Sequence, residues 1–238
     1  MMKIGILLVG RASEDLVDEY GTYAEMLIAL INTEEQVFEF KTFNILDDEF
    51  PKDYLECDGW IVTGSPHGVY EDHSWIPTVS QLINNVYEAN LPIFGVCFGH
   101  QLIAQALGGH VEKSEKGWGL GLHTYQVNNK PDYMSNLSEE VTLNICHQDQ
   151  VLRSPQGATV YAKSEFCENA GFYIKDKVLT MQAHPEFLVD FTKALLAARR
   201  DVTIPKEFVD PALVGLKNNP DSVQSNEFAK TIRQFFLA

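Results

Sequence analysis

The stretch Leu91 to Gly109, LPIFGVCFGHQLIAQALGG, constrains the fold more than any other part of this 238-residue chain. Pro92 to Val96 is an apolar run of the kind that forms a buried parallel strand. Gln101 to Leu107 has helical spacing and is stopped by Gly108-Gly109. Between them, inside Gly95-Val96-Cys97-Phe98-Gly99, sits one cysteine, so the strand must turn sharply into the helix at Cys97. Such a turn strains the backbone, and side chains at positions 95 and 99 would collide with the returning helix. Both positions are glycine. The helix N-terminus beneath Cys97 favours thiolate over thiol. The N–H of Phe98 is then free to hold an oxyanion. A lone cysteine in a strand is ordinarily inert core; the flanking glycines and the following helix point instead to a nucleophile.

The chain leading to this turn alternates strand and helix. Lys3 to Val9 is a buried strand, Leu16 to Ile31 an amphipathic helix and Val37 to Phe43 a second strand. Asp47 to Asp58 is acidic and reads as a loop with a helical turn. Trp60 to Val62 is a short buried strand and Trp75 to Tyr87 a helix. This alternation implies a parallel sheet covered on both faces. After Gly109 the pattern changes. Val111, Leu120 to Val127, Val141 to Cys146, Thr159 to Ala162, Gly171 to Ile174 and Val178 to Gln182 are short strand candidates with few helices between. They predict a small, partly antiparallel layer added to the main sheet. Phe187 to Arg200 is a helix. The remaining tail passes Pro205, Pro211 and Pro220 before a last helix near Asn226 to Phe236. With no repeat or linker in view, residues 1–238 read as one α/β domain with a helical tail at about 190–238.

Thiol catalysis needs a base and a group that orients it. Met181-Gln182-Ala183-His184-Pro185-Glu186 follows the strand Val178 to Gln182. Catalytic groups of a parallel sheet collect at strand carboxyl ends, where both Cys97 and His184 fall. His184 can accept the thiol proton, and Glu186 can hold the other imidazole nitrogen. The ordinary reading, a helix-capping histidine and a solvated first-turn carboxylate, accounts for either residue alone but not for the set. His100 follows the turn directly, so its side chain is expected to point along the helix and away from Cys97. His147, Gln148 and Asp149 end another strand and read equally as pocket wall or loop turn. His67, His73, His110 and His123 show no partner pattern, and no metal site is expected from them. Thr63-Gly64-Ser65-Pro66 also ends a sheet strand, and its small residues let backbone N–H groups at Gly64 and Ser65 face a ligand.

The net charge of −15 argues against nucleic acid and anionic membranes as partners. The four cysteines have no C-x-x-C spacing and indicate neither a disulfide framework nor zinc. The short N-terminal apolar run leads straight into Arg11 and acidic residues and reads as a first strand, not a signal peptide, and no run reaches the roughly 18 residues of a membrane span. A soluble cytoplasmic protein without cofactor is the expectation.

Taken together, GVCFGHQ, HPE and TGSP, in this order over roughly Lys3 to Val189, resemble the class I (triad) glutamine amidotransferases. The resemblance extends to stand-alone proteins similar to the amidotransferase domain of GMP synthase and to γ-glutamyl peptidases. It implies a flavodoxin-like three-layer α/β/α fold and a Cys97–His184–Glu186 triad that hydrolyses a γ-glutamyl amide through a thioester. It further implies substrate contacts at Gln101 and in the His147-Gln148-Asp149 segment. The family's oxyanion loop usually has a second glycine where Ser65 stands. No phosphate-cradling loop of a synthetase is present, so the ammonia acceptor, if any, lies on another chain, and a separate synthetase partner stays open. Two other classes share features with this pattern. One is a cysteine hydrolase or glyoxalase-like protein on a related sheet, whose histidine often follows the cysteine directly, as His100 does. The other is a catalytically silent regulatory or binding subunit.

Overall fold

A computed structural model describes residues 1–32, 36–219 and 221–238. Pro220, noted as a break in the tail, lies outside the described residues. The first half runs β1 (Met2–Leu8), α1 (Glu14–Tyr20), α2 (Tyr23–Ile31), β2 (Phe38–Asn44), β3 (Gly59–Val62), α3 (Trp75–Glu88), β4 (Ile93–Val96) and α4 (Phe98–Ala106). Then come β5 (His110–Lys113), β6 (Gly119–Val127), β7 (Glu140–His147), β8 (Asp149–Arg153), β9 (Thr159–Lys163), β10 (Gly171–Ile174) and β11 (Val178–Met181). The chain closes with α5 (Val189–Arg199), α6 (Lys206–Asn218) and α7 (Ser225–Phe236).

Nine strands form one sheet in the order β2-β1-β3-β4-β11-β10-β9-β6-β7. The first five pair in parallel. From β11 onward every pairing is antiparallel. The antiparallel part therefore takes two forms. Four strands extend the main sheet edge to edge, and β5 with β8 makes a separate two-stranded ribbon. The parallel strands are apolar on both faces, as burial by helices on each side demands. Along β1, Ile4, Ile6 and Leu8 enter one core while Leu7 enters the other. Phe94 of β4 meets Phe228 of α7 at 6.4 Å between ring centres, which fastens the C-terminal helix beneath the cysteine-bearing strand. No helix among the described residues is long and apolar enough to cross a membrane.

Three elements differ from expectation. The helix expected over Leu16 to Ile31 is two helices, because Thr22 caps a new start after Gly21. The Thr22 hydroxyl accepts from the Glu25 N–H at 3.2 Å, and the Glu25 carboxylate accepts from the Thr22 N–H at 2.7 Å. The segment after His147 is not a plain loop but turns at once into β8. The tail around Pro205 and Pro211 forms α6, with Pro205 just before its first turn and Pro211 inside it. Burial of Val209 and Leu216 against the core outweighs the hydrogen bond that Pro211 removes.

Candidate active site

Cys97 occupies the corner between β4 and α4 with φ 51° and ψ −104°. An L-residue holds such angles only when its surroundings over-determine them. Here the Cys97 N–H donates to the Met181 carbonyl at 2.8 Å, and the Cys97 carbonyl accepts from the Gln101 N–H at 3.1 Å. A methyl group at Gly95 would lie 2.6 Å from the Gly99 carbonyl, and one at Gly99 would overlap the Val62 carbonyl. Strand, helix and turn thus interlock only with glycine at both positions. Phe98 is the first residue of α4, so its N–H belongs to the turn that has no intrahelical acceptor.

His184 lies just past β11, the strand beside β4. Its N–H donates to the Asn144 carbonyl at 2.8 Å. Its ring stacks on Phe187 at 3.8 Å and 5°. Gly64 is another close neighbour, where a methyl group would come within 2.8 Å of the imidazole Cε1. Nδ1 meets the Glu186 carboxylate at 2.7 Å, and the Glu186 side chain is wholly buried. The second carboxylate oxygen of Glu186 has no hydrogen-bond partner among the described residues, so its one hydrogen bond goes to His184. Burial opposes protonation of the imidazole. The negative charges of Cys97 and Glu186, with hydrogen bonds to both, outweigh burial and raise the pKa to about 10. The three triad candidates therefore form one connected buried unit.

The other expected residues surround them. A cleft of about 210 Å³ is lined by Ser65, Cys97, Gln101, His147, Gln148 and Asp149, among others. Gln101 Nε2 donates to the Asp149 carbonyl at 2.8 Å, and His147 Nδ1 meets the same oxygen at 3.0 Å. The first bond joins α4 to the start of β8, and the second closes the junction between β7 and β8. Burial lowers the His147 pKa to about 3, so it is a neutral wall and not a cation. The Ser65 hydroxyl accepts from the His67 N–H at 3.3 Å, and the Thr63 hydroxyl accepts from the Val9 N–H at 3.1 Å. The first bond shapes the loop itself, and the second holds it against the end of β1.

His100 is not with them. It is fully buried, bonded through Nδ1 to the Thr180 hydroxyl at 2.9 Å and packed on Phe172. Its place is structural, which removes the basis for a histidine directly after the cysteine acting as base. Two histidines without a partner pattern in the sequence do have one in the structure. His67 and His73 both meet Glu71, at 3.1 and 2.9 Å, and His67 and Glu71 line the cleft.

Several site residues escaped sequence reasoning. Asn144 holds His184 through its carbonyl and Phe187 through its side-chain amide, at 2.8 Å each. Its only signal was a buried amide in the apolar strand Val141 to Cys146. Arg199 ends α5, where a cation favours the helix dipole and invites no further explanation. Its guanidinium instead reaches Cys146 Sγ at 3.5 Å and lines the cleft. Among the described residues it forms no ion pair. With Tyr23, Ser65 and His184 it also lines a small recess beside the triad.

The family model described as glutamine amidotransferase class-I matches residues 15–199. The chain belongs to the class I glutamine amidotransferases. Among members of this family it is 33% identical over 225 residues to γ-glutamyl peptidase 4 of Arabidopsis thaliana, covering 90% of this chain and 88% of the relative. It is 31% identical over 172 residues to the glutamine-hydrolysing GMP synthase of Bacillus velezensis, covering 71% of this chain but 29% of that larger protein. In fold it is similar to a glutamine amidotransferase from Thermotoga maritima, with a TM-score of 0.80, 18% identity and coverage of 100% and 99% of the two chains.

Proposed function

We propose that this class I amidotransferase hydrolyses γ-glutamyl amide bonds with Cys97 as nucleophile, His184 as proton carrier and Glu186 as the group that holds His184. The carrying observation is the buried Cys97–His184–Glu186 unit at a positive-φ strand-to-helix turn. The Cys97 sulfur attacks the γ-carbonyl carbon, and its electron pair moves onto the oxygen. The N–H groups of Ser65 and Phe98 face that oxyanion. On collapse the C–N bond breaks, and His184 gives its proton to the leaving nitrogen. A γ-glutamyl thioester remains. Water then gives a proton to His184 and its oxygen to the carbon, the C–S bond breaks, and glutamate leaves. Gln101 and the His147–Gln148–Asp149 segment receive the glutamate portion.

The substrate reading favours a γ-glutamyl peptide over free glutamine. His184 protonates the leaving nitrogen, so the leaving group exits on the His184 side of the sulfur. Arg199 shares the recess beside His184 and pairs with no carboxylate among the described residues. It suits the carboxylate of a departing amino acid or dipeptide, in line with the relatives named γ-glutamyl peptidases. Activity then needs no synthetase chain.

The test is steady-state hydrolysis by the purified protein of glutamine and of γ-glutamyl dipeptides, with and without candidate synthetases. The expected kcat/KM for a dipeptide exceeds that for glutamine by at least about tenfold, since a charged hydrogen bond contributes roughly 1.5–3 kcal/mol. Arg199→Gln should erase most of that preference while sparing glutamine hydrolysis, and Cys97→Ser should lose both. If every substrate is inert until a synthetase is added, the chain is a dissociated amidotransferase subunit instead.

A further inference from the structure

The loop between β3 and α3 carries His67, Glu71 and His73, three groups that none of the steps above uses. His67 Nδ1 and His73 Nε2 both converge on one oxygen of Glu71, at 3.1 and 2.9 Å. The three donor atoms all lie within 4.8 Å of one another. Two imidazoles have no need to share one oxygen of a carboxylate that offers two. Here the other oxygen is taken: the Gly68 N–H donates to it at 3.0 Å. That bond fixes the carboxylate and aims its remaining oxygen between the rings, the outer-shell arrangement that orients metal ligands. The rings stand edge to face with centres 4.2 Å apart.

We propose that His67, Glu71 and His73 form a binding site for a divalent cation of the zinc class. Bond lengths of about 2.0–2.2 Å in a tetrahedron put neighbouring donor atoms about 3.3 Å apart. The two nitrogen–oxygen spacings need to open by only a few tenths of an ångström, while the two ring nitrogens, within 4.8 Å of each other, settle to the same value. Two imidazole nitrogens and one carboxylate oxygen select zinc-like ions over magnesium or calcium, which take oxygen ligands. The surplus of negative charge on the whole chain favours any cation at its surface.

The site is braced. The His73 ring lies nearly parallel to the Trp75 indole, 15° between planes, and Trp75 packs on Phe98 at 5.5 Å between ring centres. Phe98 follows Cys97 directly, so the loop and the strained turn share one apolar support. His67 and Glu71 also form part of the cleft wall. An ion held there has one coordination position left for water or for a donor atom of a ligand in the cleft. No hydrolytic step passes through it, so the site stands or falls independently of the proposed activity.

The experiment uses the full-length Cys97→Ser protein, which removes the reactive thiolate as a competing ligand. After chelator treatment it is titrated with zinc chloride in a calorimeter, and in parallel with cobalt chloride in a spectrophotometer. The expected result is one zinc per chain and a cobalt spectrum of a four-coordinate ion without a thiolate charge-transfer band. His67→Ala, Glu71→Gln and His73→Ala should each weaken zinc binding by at least ~10-fold, the lower end of what loss of even an outer-shell partner costs. Circular dichroism checks that these loop variants remain folded. Absence of binding in the Cys97→Ser protein, binding unchanged by all three substitutions, or a cobalt thiolate band would overturn the proposal. The cobalt spectrum of the intact loop decides the matter even if a variant unfolds.

Discussion

His184 shows how one residue acquires its chemistry from its neighbours. Burial alone would strip its proton, as it does at His147 and His100, whose pKa values fall to about 3. The difference is the pair of anions, Cys97 and Glu186, that His184 faces. Proton donation to the leaving nitrogen requires the imidazolium, so the alkaline limb of kcat/KM should follow the His184 pKa near 10. Glu186→Gln removes one anion and should move that limb down by at least about one pH unit, equivalent to about 1.4 kcal/mol of lost charge stabilisation. A pH–rate profile of the variant matching the parent would refute the role of Glu186. The same ionisation stabilises the fold. The folded pKa lies above the 6.5 of a free imidazole, so the contribution is complete below that pH and fades as pH rises through about 10. That Cys97, His184 and Glu186 come together was legible because each stands in a motif whose proposed chemistry needs its neighbours. Arg199 and Asn144 were not, because a cation at a helix end and a single buried amide each have an ordinary reading.

At the scale of elements, the strand-to-helix turn is the most exacting part of the chain. Gly99→Ala adds one methyl group where the Val62 carbonyl already stands. It should lower unfolding free energy by about 1–3 kcal/mol, the usual cost of overpacking, and displace Cys97 with it. Urea denaturation of the variant reads this directly, and a midpoint equal to the parent's would show that the turn can relax. Parallel strands such as Ile93–Val96 were legible as uninterrupted apolar runs. β8 was not, since Asp149–Arg153 has only two apolar residues and pairs solely with β5 at its polar edge. α6 was hidden by Pro205 and Pro211, whose local preference is overridden by the burial of Val209 and Leu216. The short strands after Gly109 were recognisable one by one. That four of them extend the main sheet depends on long-range pairing, which local pattern does not encode.

For the molecule as a whole, the net charge of −15 is distributed over a surface rich in carboxylates. Self-repulsion of that size opposes the compact state and is screened by salt, with a Debye length near 8 Å at about 0.15 M and 30 Å at about 0.01 M. Melting temperature should therefore rise between these two sodium chloride concentrations, by about 2 °C or more if screening recovers about 1 kcal/mol. A melting temperature that falls with salt would mean that attractive ion pairs dominate. Pairs such as Lys41–Glu56 and Arg200–Asp210 lie at the surface, where each contributes little.

The position of β11 in the sheet has a consequence for how the protein is made. β11 is the last strand in chain order among the described residues, yet it lies between β4 and β10, near the middle of the sheet. A growing chain that has completed β4 must wait for roughly 80 more residues, on the order of 4–16 s at typical elongation rates of about 5–20 residues per second. Throughout that interval β4 presents an open edge to the ribosome's surroundings. His184 emerges only after β11, so until then the nascent chain carries Cys97 without the histidine it meets in the folded protein. The cysteine and its histidine thus come together only with the closing of the sheet.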